Sequence, residues 1–204
     1  ETNGINIHYV SQGEGPLVVF CHGFPESWYS WRHQFPAVAD AGYRAVALSM
    51  RGYGLTDAPH DIYSYSIHHL IGDVVGVVNG LGESSAVVVG PDWGAPVAWY
   101  SALLRPDLFR AVAGLSVPFR APVSLPPGME ISDLSRAQAG DRDYYRLFIA
   151  DGGQAEAEFE IDVRGYILGV LYSVSGDIGA GKQWDGYMAR GQGIRDALTL
   201  PERL

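Results

Sequence analysis

Short apolar runs alternate with longer stretches of helical spacing along the first half of the chain. The runs fall at Ile5–Val10, Leu17–Phe20, Arg44–Leu48, Ala86–Val89 and Ala111–Leu115. In Val87-Val88-Val89 no polar residue interrupts the apolar ones, as expected of a strand covered on both faces in a parallel sheet. Between most of the runs lie Trp28–Ala41, Ile67–Leu81 and Ala95–Leu104, whose apolar spacing predicts helices. Strand, helix, strand in that order predicts an α/β fold with a mostly parallel sheet. After Pro118-Phe119 the pattern changes. Pro122, Pro126, Pro127 and Gly128 mark an irregular excursion. Helical spacing then returns near Arg142–Ile149 and Ala155–Tyr172, with no further clear strand. The expected division is a core over 1–119 and a helical lid over 120–204.

Composition narrows the function classes. With 47% hydrophobic and 18% charged residues the chain is too apolar and too weakly charged to stay disordered. No run approaches the roughly 20 apolar residues of a membrane span, and Glu1-Thr2-Asn3-Gly4 shows no basic region leading into an apolar stretch. The chain does not begin with Met, which leaves room for a missing start. A net charge of −9 argues against nucleic acid or an anionic membrane as partner. The single cysteine, Cys21, excludes an internal disulfide and a paired-cysteine metal site, and makes a reducing cytoplasm the simplest compartment. It reads as a small buried apolar residue. Neither a metal nor a cofactor is expected.

The most informative stretch is Val89-Gly90-Pro91-Asp92-Trp93-Gly94-Ala95. An apolar strand enters Gly-x-Asp-x-Gly, and a helix begins near Ala95. This is the strand–turn–helix setting of a nucleophile elbow, with Asp where esterases carry Ser. Gly90 and Gly94 make room for a sharp turn with a strained central residue. The turn presents the Asp92 carboxylate at a helix N-terminus, where the dipole favours negative charge. A carboxylate suits an electrophilic sp³ carbon, forming an alkyl ester that water cleaves later. The alternative at this point is that Asp92 simply caps the helix.

A second stretch follows the run Leu17–Phe20: His22-Gly23-Phe24-Pro25-Glu26-Ser27-Trp28-Tyr29-Ser30-Trp31-Arg32. Here, through Met50-Arg51-Gly52-Tyr53-Gly54-Leu55-Thr56-Asp57-Ala58-Pro59 and Gly90–Ala95, and again at Tyr145 and Ala155-Glu156-Ala157-Glu158-Phe159-Glu160, the chain resembles the epoxide hydrolases of the α/β-hydrolase fold. The soluble epoxide hydrolase branch resembles it most. The resemblance implies an α/β-hydrolase core with a helical lid, acting on a small apolar epoxide and water. It implies that the backbone N–H groups of Phe24 and Trp93 form an oxyanion hole and that a cis peptide precedes Pro25. It gives His22, Gly23, Pro25, Gly90 and Gly94 structural parts in these motifs. It also implies that lid tyrosines hold the epoxide oxygen. A phenol, with an ordinary pKa near 10, keeps its proton at neutral pH and donates it to a developing alkoxide. Counting back from Ala155-Glu156 selects Tyr145, whereas matching the Asp-Tyr dipeptide selects Tyr144. On a helix the two would point about 100° apart, so only one faces the pocket, and the count from Ala155-Glu156 makes Tyr145 the expected one.

Three departures from the family pattern stand out. Pro91 replaces the usual His before the nucleophile, removing an N–H and pressing Gly90 toward an extended conformation. Ser49 replaces the Asp common before Met50-Arg51-Gly52, a change expected to touch structure more than chemistry. In the family the catalytic His, its acidic partner and the second lid tyrosine follow, whereas this chain ends at Leu200-Pro201-Glu202-Arg203-Leu204. His8, His33, His60, His68 and His69 lie outside any motif that would make them that base, and read as surface or loop residues. The expectation is an N-terminal two-thirds of the fold, inactive as it stands. Two rival readings remain. A haloalkane or haloacid dehalogenase would use the same Asp nucleophile to expel halide, and a non-catalytic binding protein would keep only the pocket.

Overall fold

Five short strands form one sheet: Tyr9–Gln12 (β1), Leu17–Phe20 (β2), Arg44–Leu48 (β3), Ala86–Pro91 (β4) and Phe109–Leu115 (β5). Their order is β1-β3-β2-β4-β5, with β1 antiparallel to β3 and the remaining pairs parallel. This is a computed structural model that describes residues 1–121 and 124–202, so Pro122, Val123, Arg203 and Leu204 lie outside the described residues. The chain divides into two units, Glu1–Ala121 and Pro122–Leu204.

In the first unit the period of two along each strand sends alternate side chains to opposite faces. Leu17, Val19, Val46, Leu48 and Val88 pack on one side with Val74, Val77 and Val78 of Ile67–Gly80 (α2) and Val97 and Ala98 of Gly94–Leu104 (α3). Val18, Phe20, Ala45 and Ala47 pack on the other side with Trp31 and with Phe35 of Gln34–Asp40 (α1). Every residue of β2 is buried, which accounts for its unbroken apolar run. Several N-terminal residues lie over α2 rather than in the sheet. A Cβ on Gly76 would strike the Thr2 side chain, so the glycine lets the N-terminus lie close.

Local breaks shorten several expected elements. Ile5–Val10 pairs in the sheet only from Tyr9 onward, and Ile5 instead forms an isolated bridge to Thr2. Trp28–Ala41 is a 3-10 turn, Trp28–Trp31, followed by α1. Ser27 starts the turn by accepting from the Tyr29 N–H, and Ser66 starts α2 by accepting from the His69 N–H.

The second unit contains Ile131–Ala139 (α4), Arg142–Tyr144 (β6), Tyr145–Ala150 (α5), Gln154–Ile161 (α6), Val163–Val174 (α7), Tyr187–Ala189 (β7) and Ile194–Ala197 (α8). Its core gathers Tyr166, Met188 and Ile194 with Tyr145, Phe148, Phe159 and Trp184. Two expectations need correction here. The region does contain strands: β6 pairs antiparallel with β7, Arg142 opposite Ala189 and Tyr144 opposite Tyr187. Three residues per strand are too few to display a period of two, and Arg-Asp-Tyr is polar enough to pass for helix surface. The stretch Ala155–Tyr172 is two helices, because Asp162 takes φ −157° and caps α7 by accepting from the Gly165 N–H at 2.9 Å.

One buried ion pair ties the first unit together. Arg51 donates from Nε to Asp73 Oδ2 at 2.9 Å and from Nη2 to Asp73 Oδ1 at 2.6 Å. Both side chains are only 3–4% exposed. Asn3 Nδ2 adds a bond to Asp73 Oδ1 at 2.7 Å, joining the N-terminus, the loop after β3 and α2. Asp73→Asn leaves the Arg51 charge buried without its partner, and should cost about 3–5 kcal/mol of unfolding free energy. A urea midpoint within error of the parent would refute this role.

Candidate active site

The parallel register brings three segments to one end of the sheet. Phe20 lies opposite Val89, Gly90 opposite Gly114, and Pro91 opposite Leu115. β4 ends at Pro91, and Asp92 turns the chain at φ +43°, a left-handed conformation uncommon outside glycine. Trp93 returns to the right-handed region as the N-cap residue of α3. Asp92 therefore does not occupy the capping position that the simpler alternative required. Backbone packs against backbone around this turn: a Cβ on Gly90 would overlap the Gly94 carbonyl, and one on Gly94 would overlap the Cys21 carbonyl. Pro91 is tolerated because it is the last residue of its strand.

The segment after β2 comes to meet the carboxylate. Cys21 N–H extends the pairing to Val89 O at 2.8 Å, and Phe24 N–H donates to Asp92 Oδ1 at 2.9 Å. Gly23 passes so close that a Cβ there would run into the Asp92 side chain. The Phe24–Pro25 peptide is cis. The third segment reaches Asp92 from behind, where its N–H donates to Ser116 Oγ at 3.3 Å. Ser116 was not singled out from the sequence, since only the β4–β5 register places it beside the turn.

His22 is buried and fully engaged. Its Nε2 accepts from the Met50 N–H at 3.0 Å, so Nδ1 carries the hydrogen and donates to Gly23 O at 2.8 Å. Its ring also meets Tyr53 edge-on, with centroids 4.7 Å apart. Ser49 bonds His8 Nδ1 at 2.9 Å and its carbonyl accepts from Thr56 Oγ1 at 2.7 Å, contacts that brace the neighbouring loop. His33, His60, His68 and His69 are exposed and His8 is half-buried.

The electrostatics centre on Asp92. Burial and then the Asp92 charge raise the Glu26 carboxyl above the ordinary carboxylate range. The same two causes push the Tyr53 phenol up to about 12. Burial alone pushes the Cys21 thiol up to about 12, so it stays protonated. Among the described residues, no group of three or more His, Cys, Asp or Glu is placed to hold a metal ion.

In the second unit the helical premise behind the choice of tyrosine does not hold. Tyr144 ends β6 and only Tyr145 begins α5. Their rings meet edge-on at 5.1 Å, with Tyr144 against Tyr187 and Tyr145 against Trp184. Tyr145 Oη accepts from Arg146 Nε at 3.3 Å. A cavity of about 500 Å³ in this unit is lined by Tyr144, Phe148 and Glu158, among others, and not by Tyr145.

The sheet order, the strained Asp92 turn and the matching of residues 16–164 to the model of the alpha/beta hydrolase fold establish that the chain belongs to that family. Its relatives include epoxide hydrolases. The epoxide hydrolase of Caballeronia sordidicola is 46% identical over 185 residues, covering 90% of this chain and 54% of that protein. Epoxide hydrolase B of Mycobacterium tuberculosis is 42% identical over 233 aligned positions, covering 98% of this chain and 65% of that protein. Among solved structures, epoxide hydrolase A from Mycobacterium thermoresistibile superposes with a TM-score of 0.87 at 41% identity, over 100% of this chain and 63% of that one. The chain thus spans between about half and two-thirds of these relatives' lengths. No helix among the described residues is long and apolar enough to cross a membrane.

The His22 contacts have a consequence for pH. Burial lowers its pKa below the ordinary 6.5, outweighing the bond to Gly23 that raises it. The unfolded chain therefore binds a proton that the folded one refuses, and stability is complete above 6.5 and falls as pH drops below it. The expected slope reaches about 1.4 kcal/mol per pH unit. Unfolding curves between pH 7.5 and 5 should show it in the parent protein and lose it in His22→Gln. Equal slopes would assign the effect elsewhere.

Proposed function

We propose that the protein is an epoxide hydrolase, adding water to a small apolar epoxide to give a vicinal diol through an alkyl ester on Asp92. The observation that carries this reading is the Asp92 carboxylate on its left-handed turn, with Oδ1 held by the Phe24 N–H. The epoxide hydrolase relatives support it. With Oδ1 engaged, Oδ2 is the oxygen available to attack. It forms a bond to one epoxide carbon, the carbon–oxygen bond of the ring breaks, and the electron pair leaves on the epoxide oxygen. Tyr145 gives that oxygen a proton. In the bond from Arg146 Nε–H the Tyr145 phenol is the acceptor, so its own hydrogen is not spent on that contact.

Water then adds to Cγ of Asp92, one of its protons passing by way of a base back to the Tyr145 phenolate. The Phe24 and Trp93 N–H groups stabilise the resulting oxyanion. Its collapse breaks the bond from Cγ to the ester oxygen, and that oxygen takes the second water proton as the diol departs. The attacking water must lose its proton to a base, and His22 is not that base, since both of its ring nitrogens are committed. The exposed rings of Phe24 and Trp93 give the entrance an apolar character suited to the substrate. Residues 120–204 serve as the lid. A cytoplasmic location fits the unpaired Cys21.

The mechanism is tested on the protein as its gene encodes it. A single turnover in ¹⁸O water should place label in the Asp92 carboxylate, because ester hydrolysis attacks the protein's own carbonyl carbon. Label confined to the diol over repeated turnovers would contradict the ester. Halide release from a haloalkane, faster than any epoxide is opened, would favour a dehalogenase.

Tyr145→Phe should slow ester formation by about 10²–10⁴-fold, the scale of one general acid. Damage from Tyr144→Phe without damage from Tyr145→Phe would move the role one residue back.

A further inference from the structure

We infer that Ser116 is a positioning residue for Asp92: its hydroxyl holds the Asp92 N–H and keeps the carboxylate aimed at the substrate. This rests on the reading of Asp92 as nucleophile, but the contact itself does not.

The parallel β4–β5 ladder runs as far as Pro91 opposite Leu115. One residue further, both chains leave the extended conformation together, Asp92 at φ +43° and Ser116 at φ +60°. Each is a non-glycine residue in a region that favours glycine, and such positions persist only where surrounding contacts enforce them. Ser116 is the centre of a three-residue turn closed by Val117 N–H to Leu115 O at 2.7 Å. With a positive φ at its centre this is the rarer, strained form of the turn.

The turn is fastened to α3, because Trp99 Nε1 donates to Val117 O at 3.0 Å. Its hydroxyl is oriented too: Ser116 Oγ donates its hydrogen to Leu115 O at 2.6 Å. With the hydrogen spent, Oγ presents only lone pairs, and one of them takes the Asp92 N–H at 3.3 Å. The hydroxyl thus supplies the next rung of the ladder after the backbone has turned away. Phe24 N–H fixes Asp92 at Oδ1 and Ser116 fixes it at the backbone, so the attacking oxygen has little freedom between the two.

Three variants separate the hydroxyl from the backbone. Ser116→Gly relieves the left-handed strain and removes the hydroxyl. Ser116→Ala removes the hydroxyl and keeps the strain. Ser116→Asn tolerates positive φ and returns an acceptor oxygen. In the protein as its gene encodes it, Ser116→Gly should melt no lower than the parent, yet form the Asp92 ester about 10- to 100-fold more slowly, the scale of a small misplacement of a reacting group. Substrate affinity in the same single-turnover series should stay within a few-fold, and Ser116→Asn should recover most of the rate. Hydrogen exchange at the Asp92 amide, measured without substrate, should accelerate in Ser116→Gly and Ser116→Ala alike. Unchanged amide exchange in both, or parent-like ester formation in Ser116→Gly, would overturn the inference. Faster exchange in a protein whose Asp92 takes up no ¹⁸O would confirm the contact and refute the nucleophile instead.

Discussion

The parallel pairing of β2, β4 and β5 is the constraint on which the rest of the site depends. In a parallel sheet every strand ends at the same edge, and the connections that follow must crowd together there. Phe20 opposite Val89 and Pro91 opposite Leu115 fix that edge to within a residue. The loop from Cys21, the turn at Asp92 and the turn at Ser116 then have no choice but to meet. The glycines record how tightly they do so, since Gly23, Gly90 and Gly94 each leave no room for a Cβ. A shift of one residue in either ladder would carry the Phe24 N–H away from Asp92 and turn every strand side chain to the wrong face.

Charge is arranged around that edge with the same economy. The Asp92 carboxylate meets a backbone N–H rather than a lysine or arginine, so its negative charge is steadied without being neutralised. Groups nearby respond in the direction that avoids adding a second charge: Glu26 and Tyr53 both hold their protons more firmly. His22 stays neutral for the same first reason, because burial disfavours its cation. The cationic partner that the unit does bury, Arg51, is spent on Asp73 and holds the scaffold. The separation leaves the Asp92 carboxylate bonded to a backbone N–H while the buried cation is committed elsewhere.

Much of this was legible in the sequence, and the reasons for success and failure are physical. Val87-Val88-Val89 and Leu17–Phe20 announce buried parallel strands because both faces of such strands are apolar, and both form where expected. The Asp92 turn is legible because Gly90 and Gly94 are forced by backbone contact, which no other residue type satisfies. What escaped has no local signature. β6 and β7 are three residues each and find one another across more than forty residues, so periodicity is silent on them. The break at Asp162 was hidden because capping by a carboxylate looks, in sequence, like any polar helix surface. Ser116 escaped because Leu-Ser-Val-Pro carries no motif, and its place beside Asp92 follows only from register. The placing of Tyr144 and Tyr145 on one helix failed for a related reason: a strand-to-helix junction falls between two identical residues.

Asp92 and Ser116 also explain each other energetically. A non-glycine residue at positive φ costs on the order of 1–3 kcal/mol, and two such residues side by side would be a liability if each were isolated. They are not isolated, because the N–H that Asp92 withdraws from the ladder is the one that the Ser116 hydroxyl accepts. Glycine at 92 would relieve the strain but offer no carboxylate, and glycine at 116 would relieve the strain but offer no acceptor. The side chain is what each position needs, and the backbone conformation is what aims it. Strain at both positions is therefore the cost of re-aiming two side chains that, as the next register pair of regular strands, would have stood side by side on one face of the sheet.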